Sequence, residues 1–453
     1  MSMTSSLTNG EKRILRDASR DSVQRRLRYV RRYFPRGKWL STGNRYRDDC
    51  TSVLRRDRSV GRGIDGGQLG QYLAVSSILH CADGWTFLGD AISCHARGDR
   101  NGARHLAYYA ELRGAMALLA TEGVGVFDEV HYVLDGSGNC RDLGSRRLGT
   151  HTLAWDALEQ WAGSEGAAKL LATVITPHGV PLKTWFEGSS SAASLFHIGK
   201  DWLTSWGFDL HVLSEDRDSR NAASYLPNAL LESKALEMVD ISHYLTGLWR
   251  VFEPSSGSPF GELDKYLLRE SLIKSFEASS GLSAKGNPVE YEGYLNGILE
   301  NILGTGPGSK LWKDFLMRRV DPETPLVIKL ARETASRADP THHIQVVCRA
   351  ALLLRVATGA CAKLLREAGI RGEDVAFWWK TTAEGRGVWD ANSIPVRTQD
   401  LWKDIFDALQ EIAGWQRKTS GSNPSLMKWR RECAPHIAIL TECERIALWG
   451  LGL

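Results

Sequence analysis

The stretch Ala103–Thr121, ARHLAYYAELRGAMALLAT, decides the fold class because its apolar residues recur at helical spacing. Leu106, Tyr109, Ala110 and Leu118 fall near a period of 3.6 residues, which places them on one face of an amphipathic helix. Outward from this stretch, the same periodicity predicts helices over residues 68–82, 85–96, 150–161, 224–250, 343–368, 398–415 and 435–448. The sequence therefore predicts a mainly α protein with two helical-bundle domains.

Strand signals are few and short. Residues 124–127 and 130–134, with the turn Asp135-Gly-Ser-Gly-Asn139 after them, predict a small β-hairpin insertion. Residues 171–175 and 180–182, on either side of Pro177-His-Gly179, predict a second ribbon of the same kind. We expect these ribbons to be minor additions to the helical core.

Glycine, proline and serine divide the chain into segments. The glycine-rich stretch Gly61–Gly67 and the loop Glu253–Pro259 are the candidate boundaries. They predict a basic N-terminal arm (residues 1–60), a helical domain that carries the β ribbon (61–253) and a C-terminal helical domain (260–453).

Composition excludes several classes of protein. The chain has 453 residues, of which 43% are hydrophobic and 24% charged, so it is neither disordered nor fibrous nor a disulfide-stapled miniprotein. The 8 cysteines are scattered without a C-x-x-C pair, and neither they nor the histidines have metal-ligand spacing, so we expect a reducing compartment and no metal site. The first 60 residues lack the apolar region of a signal peptide, and no uncharged apolar run reaches the length of about 20 residues that a membrane helix needs. We expect a cytoplasmic protein without a membrane partner.

Charge is concentrated at the N-terminus. Residues 1–60 contain sixteen Lys or Arg and six Asp or Glu, a net charge of +10, and the remaining residues carry a net charge of −6. Arginines mixed with aromatic residues suit phosphate recognition and base stacking, so one interpretation is a nucleic-acid contact arm. The alternative is a helix that docks on the acidic remainder and exposes a solvated basic face. The candidate nucleic-acid-binding residues of the arm are Arg25, Arg26, Arg28, Arg31, Arg32 and Arg36.

Common enzyme motifs are absent. The chain has no G-x-x-x-x-G-K-[ST] loop, no G-x-S-x-G elbow and no H-E-x-x-H pair. The glycines at 61–67 do not follow a predicted strand, which excludes a dinucleotide-binding turn. We therefore expect no cofactor.

The segment Asp99-Arg-Asn-Gly-Ala-Arg-His105 is the most suggestive one. Arg100, Asn101 and His105 spell R-N-x-x-x-H at the start of the long predicted helix, and Tyr108 and Tyr109 follow. This pattern resembles the R-x4–6-H signature of HEPN-type helical domains, many of which are metal-independent ribonucleases. The resemblance covers about twenty of the 453 residues.

The resemblance implies catalytic roles for these residues. His105 would be the general base on a ribose 2′-hydroxyl or the acid on the leaving oxygen, because its unperturbed pKa of about 6.5 suits proton transfer near neutral pH. Arg100 would stabilise the charge of the phosphorane, and Asn101 would position the phosphate or the histidine. Two such sites commonly face each other across a homodimer in that family. The alternative is a structural cluster that caps the helix at the edge of the core, since Arg146/His151, Arg337/His342 and Arg431/His436 share the spacing.

Two further segments carry candidate sites. Arg220 and Asn221 precede a predicted helix, where they could bind a phosphate at the helix N-terminus. The alternative is that Asp218 or Ser219 caps the helix and Arg220 pairs with Glu215 or Asp216. His342 and Arg349 lie seven residues apart on one predicted helix face, with Arg355 further along the same helix. A buried arginine needs a partner, so this second segment predicts either an anion pocket or an arginine–carboxylate lock with Glu333 or an acid elsewhere.

Together these observations support three hypotheses about function. The first is a nucleic-acid-interacting, prokaryotic-type helical protein that acts as a metal-independent HEPN-like endoribonuclease in toxin or anti-phage defence, with RNA or DNA as partner. The second is a non-catalytic helical binding or scaffold subunit that recognises nucleic acid or a protein partner in a larger complex. The third is a small-molecule or nucleotide sensor with an arginine-lined pocket.

Overall fold

The fold is described from a computed structural model. It covers residues 6–144, 148–187, 203–206, 212, 215–218, 220–221, 237–255, 257–334, 339, 341–390, 392–421 and 424–453. Helices make up most of this part of the chain, and one small antiparallel sheet accompanies them, which confirms the predicted fold class.

The helices and strands of the described residues are numbered here in chain order. They are α1 (Asn9–Arg16), α2 (Arg20–Val30), α3 (Cys50–Ser59), α4 (Gly66–Ala96), α5 (Arg100–Thr121), β1 (Val124–Gly125), β2 (Tyr132–Leu134), β3 (Cys140–Asp142), α6 (Thr150–Ala162), α7 (Glu165–Val174), α8 (Leu182–Phe186), α9 (Met238–Val251), α10 (Gly261–Ser280), α11 (Pro288–Leu303), α12 (Pro307–Leu316), α13 (Leu326–Arg332), α14 (His342–Glu367), α15 (Ala376–Gly385), α16 (Trp402–Thr419), α17 (Leu426–Glu432), α18 (Ala434–Leu440) and α19 (Glu444–Leu451).

Three long helices, α4, α5 and α14, form the centre of the molecule. Helix α5 packs against both α4 and α14, and all three are apolar around most of their circumference, as expected for helices surrounded by others. Glycines allow the helices to approach closely: a Cβ at Gly84 of α4 would lie 2.4 Å from Leu354 of α14, and one at Gly114 of α5 would lie 3.3 Å from the same side chain. The positions of the functional side chains on α5 are therefore fixed by tight packing on both sides.

Two of the three central helices, α4 and α5, begin at an aspartate cap. The Asp65 carboxylate accepts a hydrogen bond from the Gln68 N–H at 2.9 Å, and the Asp99 carboxylate accepts one from the Gly102 N–H at 2.8 Å. The predicted helices at 68–82 and 85–96 are one helix of 31 residues, because Gly84 continues the helix and serves as a packing contact. Of the predicted helix at 224–250, the structure describes Met238–Val251, and residues 224–236 lie outside the described residues.

The predicted β-hairpin insertion is confirmed, with one additional strand. Strand β1 pairs with β2 through Val124 and Val133, and β2 pairs with β3 through Leu134 and Cys140, both antiparallel. The Asp135 side chain closes the β2–β3 turn by accepting the Asn139 N–H at 2.9 Å. The turn residues that the sequence pattern placed after the hairpin thus lead into the third strand.

The second predicted ribbon is wrong. Residues 171–174 belong to helix α7, which Ser164 caps by accepting the Ala167 N–H at 3.1 Å. Leu182 begins helix α8, whose Trp185 and Phe186 are fully buried. Short apolar runs of this kind are compatible with either a strand or a buried helix. Here the Ser164 cap favours a helix for α7, and the burial of Trp185 and Phe186 favours one for α8.

The N-terminal segment is a folded part of the molecule. Val23, Leu27 and Val30 of α2 are fully buried and belong to the main hydrophobic core, and α2 packs on α4. The Arg20 guanidinium forms ion pairs with Glu122 at 3.0 Å and Glu367 at 3.4 Å. The apolar face of α2 therefore packs on the central helices, while the basic residues of α2 lie on the opposite side or at the edge.

The core also crosses the expected boundary at residues 253–259. Helix α14, from the C-terminal segment, packs on α4 and α5 of the preceding segment. Within the described residues, α14 is long and apolar enough to cross a membrane, and 94% of its most apolar window is buried inside the protein. Contact with the other central helices accounts for its apolar composition.

Candidate active site

Arg100 and His105 project from different sides of α5. Five residues correspond to about 500° of rotation, so the two side chains point about 140° apart. Arg100 is only 7% exposed and lies close enough to His95 and His343 to lower the pKa of both imidazoles. His105 is half-buried with its ring 5.1 Å from that of Tyr109. The structure does not bring Arg100 to the imidazole that the sequence pattern paired it with.

Asn101 belongs to a buried polar network on the Arg100 side of α5. Its Oδ1 atom accepts a hydrogen bond from Arg104 Nη1 at 2.7 Å, and Arg104 Nε donates to His342 Nδ1 at 3.3 Å. Asn101, Arg104 and His342 are all under 5% exposed. Asn101 therefore orients a buried arginine.

The same network continues into an arginine–carboxylate lock. Arg349 donates from Nε and Nη2 to the two carboxylate oxygens of Asp216, each at 2.8 Å, and His342 Nε2 lies 3.6 Å from Asp216. Arg355 makes a similar paired contact with Asp264, at 2.9 and 2.6 Å. The lock interpretation is confirmed, with Asp216 and Asp264 as the acids, while Arg349 reaches only the backbone oxygen of Glu333. Asp216, one of the two acids considered as a partner of Arg220, is paired with Arg349.

A second carboxyl lies beside this lock. Glu111 is fully buried with Oε1 3.8 Å from Arg349 Nε. Burial and the nearby Asp216 charge raise the pKa of Glu111 well above its ordinary value. Because Asp216 receives both Arg349 hydrogen bonds, Glu111 is the carboxyl of the pair that holds a proton.

One further turn along α5, Arg220 and His151 lie close to Tyr108. Arg220 Nη2 lies 3.3 Å from His151 Nε2, and His151 Nδ1 lies 2.8 Å from the Tyr108 hydroxyl. An arginine can only donate, so His151 Nε2 is the acceptor and the neutral ring carries its proton on Nδ1, toward Tyr108. Burial, Arg220 and Arg217 lower the pKa of His151, which favours this neutral form.

The same guanidinium links His151 to His105. Arg220 lies over the rings of Tyr108 and Tyr109, 5.2 and 5.5 Å from their centroids. Burial and the charge of Arg220 lower the pKa of His105. We name the group His105, Tyr108, Tyr109, His151, Arg217 and Arg220 the dihistidine cluster.

The dihistidine cluster is open to solvent on one side. His105, Tyr109, His151, Arg217 and Arg220 are half-buried, whereas Tyr108 is fully buried beneath them. Arg217 Nη1 lies 3.5 Å from the Thr152 hydroxyl at the start of α6, and Asn221, also half-buried, follows Arg220 in the chain. The cluster therefore presents two imidazoles and two guanidiniums at an accessible place, which is a set able to transfer protons next to a bound phosphate.

Sequence reasoning named His105, Arg220 and Asn221 but missed His151. Its only signals were the spacing from Arg146 and the position directly after Thr150 at a predicted helix start, and nothing local relates α6 to α5. Contact between these two helices brings His151 to Tyr108. The dihistidine cluster combines residues from three separate segments of the chain, so no single local motif could predict it.

The N-terminal arginines mostly contact the protein itself. Arg25, Arg26 and Arg28 donate to the backbone oxygens of Gly136 at 2.8 Å, Gly138 at 2.9 Å and Glu367 at 3.0 Å. These bonds tie α2 to the β2–β3 turn and to the C-terminal end of α14.

The remaining arginines of that set are exposed. Arg31 pairs with Asp374 at 3.1 Å, and the Arg32 guanidinium lies 3.6 Å from the centroid of the Tyr29 ring. Arg36 is exposed at the end of a 3₁₀ turn, Arg31–Arg36. Arg31, Arg32 and Arg36 are thus within reach of a polyanion, as are the exposed Arg25 and Arg28.

A scan against protein-family models, a search of curated proteins and a search of solved structures each found no match to this chain. Among the described residues, no group of three or more His, Cys, Asp or Glu side chains is placed to hold a metal ion.

Proposed function

We propose that this chain is an RNA-directed helical protein of the HEPN-like kind that cleaves RNA without a metal ion at the dihistidine cluster. The observation that carries the proposal is the position of Arg220, which contacts His151 and lies close enough to His105 to lower its pKa. Arg220 takes the phosphate-binding role that the sequence motif suggested for Arg100. The cytoplasmic location, the homodimer and a role in toxin or anti-phage defence belong to the same proposal.

The reaction we propose is transesterification at a phosphodiester. One imidazole removes the proton of the ribose 2′-hydroxyl, the 2′-oxygen forms a bond to phosphorus, and the bond from phosphorus to the 5′-oxygen breaks. The other imidazole, protonated at the start, gives its proton to the leaving 5′-oxygen. The products are a 2′,3′-cyclic phosphate and a 5′-hydroxyl, and the imidazoles have exchanged protonation states.

Arginines 217 and 220 stabilise the charge that builds up on the non-bridging oxygens. A guanidinium can donate two parallel hydrogen bonds to a phosphate, and its charge is worth more in a partly desolvated site than in water. When a phosphate binds Arg220, its negative charge offsets the effect of that arginine on the two histidines and raises their pKa values. Substrate binding thus prepares one of them to act as the acid.

The test is cleavage of a single-stranded RNA by the purified chain in excess chelator. We expect His105→Ala and His151→Ala each to abolish cleavage with little change in the thermal midpoint. His243→Ala is the matched control, because His243 is exposed on α9 and outside the cluster. Cleavage that survives both cluster variants would place the activity elsewhere.

A second candidate, a non-catalytic subunit that binds nucleic acid, is favoured by the exposed Arg32 resting on Tyr29. This pair offers a charge and a flat surface to a polyanion. It predicts RNA binding without cleavage, and a weaker salt dependence of binding in an Arg31→Gln/Arg32→Gln/Arg36→Gln variant. An unchanged salt slope in that variant would contradict it.

A further inference from the structure

We propose that a cavity beside the N-terminal segment is a binding site for a nucleoside monophosphate. The cavity has a volume of about 540 Å³, within the usual range for small-molecule sites. Its walls come from the loop that follows the 3₁₀ turn Arg31–Arg36, from α4 and from α5. This inference does not depend on the proposed RNA cleavage.

The charges that line the cavity favour an anion. Lys38, Arg47 and Arg113 contribute three positive charges, and Asp83 contributes one negative charge when ionised. Burial and Arg113 lower the pKa of His80, which also lines the cavity, to about 3, so His80 is neutral at physiological pH. Arg47 also pairs with Asp48 beside the cavity, at 2.7 Å, which leaves a net charge of about +1 around the cavity. This positive charge complements the charge of −1.5 to −2 that a phosphate monoester carries at pH 7.

The Arg113 side chain is held in a position from which it can bind an anion in the cavity. Its Nη1 atom donates to His80 Nδ1 at 2.6 Å, and Asp83 Oδ2 lies 4.0 Å from the same nitrogen. Because His80 accepts a hydrogen bond at Nδ1, its proton lies on Nε2. The neutral ring is therefore also a hydrogen-bond donor. A guanidinium oriented from one end loses little further freedom when it binds a phosphate.

Aromatic side chains form the other part of the wall. Trp39 and Tyr72 line the cavity, and Trp39 is braced by Phe34, Phe377 and Trp378 at ring-centroid distances of 5.2, 5.6 and 5.4 Å. A flat, polar base attached to a phosphate matches both parts of the cavity.

The experiment is equilibrium dialysis of the full chain with adenosine monophosphate at low salt, with adenosine and inorganic phosphate as separate probes. We expect saturable one-to-one binding of the nucleotide, and binding at least about tenfold weaker for either fragment, since each lacks half of the contacts. No saturable binding, or phosphate alone binding as tightly as the nucleotide, would overturn the proposal.

Variants locate the site. Lys38→Gln/Arg47→Gln should weaken nucleotide binding at least about tenfold, because two charge-assisted contacts are removed. Arg56→Gln, an exposed change on α3 outside the cavity, is the matched control and should bind like the parent.

Trp39→Leu should also weaken binding. If Trp39→Leu fails to fold, the exposed Lys38/Arg47 pair still decides the matter, and equal binding by that variant and the parent would refute the assignment. His105→Ala should bind the nucleotide normally, which separates this site from the dihistidine cluster.

Discussion

Arg220 Nη2 lies 3.3 Å from Nε2 of His151 and donates to it. This contact joins a segment after residue 214 to the start of α6 and places a positive charge among His105, His151 and two tyrosines. Burial and the charge of Arg220 lower the pKa of both His105 and His151 and so favour their neutral forms. In the function proposed above, this guanidinium binds the phosphate of the substrate.

Arg220→Gln should lower kcat/KM for metal-free RNA cleavage by about 100-fold, the usual effect of removing one donor that stabilises a transition state. Arg397→Gln, an exposed change elsewhere, is the control and should leave the rate unchanged. Rates under single-turnover conditions, together with the thermal midpoint of each variant, are the measurement. A full rate in Arg220→Gln would remove this arginine from the reaction.

The pH dependence of cleavage should have its maximum below pH 6.5. Burial and Arg220 lower the pKa of both His105 and His151 from the ordinary value of 6.5. The base works above its pKa and the acid below its own, so kcat/KM peaks between two lowered values. In Arg220→Gln the residual activity should peak at a higher pH, because the charge that lowers both values is gone. A maximum above pH 7 in the parent would contradict the assignment of both histidines.

Arg100→Met should leave cleavage nearly unchanged. Arg100 lies on the buried side of α5 near His95 and His343, and helical geometry points it away from His105. The change replaces a buried charge with an apolar side chain of similar length, so the main readout is the rate measured beside the thermal midpoint. Loss of cleavage in a variant of unchanged stability would restore Arg100 to the catalytic role that the sequence motif suggested.

Arg349→Leu should reduce the free energy of unfolding by about 3–5 kcal/mol, because it leaves the buried carboxylate of Asp216 without its partner. Arg349→Leu/Asp216→Asn should recover part of this loss, since the unpaired charge is then absent. Urea unfolding of the parent and both variants measures the difference. An equal loss in the single and double variants would show that packing, and not charge, dominates at this position.

The sequence predicted the helical class and the hairpin at residues 124–134, because both depend on local periodicity and turn residues. It also anticipated that Arg349 and Arg355 need acidic partners, since burial of an arginine in an apolar run demands one. The identities of Asp216 and Asp264 could not be predicted, because 133 and 91 residues separate them from those arginines.

The candidate site was only partly predictable for the same reason. The sequence motif pairs Arg100 with His105 because they are close in the chain. On a helix, however, two residues that are five positions apart point in directions about 140° apart. The guanidinium whose charge acts on His105 is instead that of Arg220, which also contacts His151 of α6. Arg113 and His80 likewise meet only because α4 and α5 pack together.

Cleavage of single-stranded RNA in excess chelator, compared between the parent, His105→Ala, His151→Ala and the control His243→Ala, tests the central claim most directly. The account predicts that the parent and His243→Ala yield products with 2′,3′-cyclic phosphate ends while both cluster variants yield none and remain folded. An intact RNA in every lane, or equal cleavage by all four proteins, would contradict it.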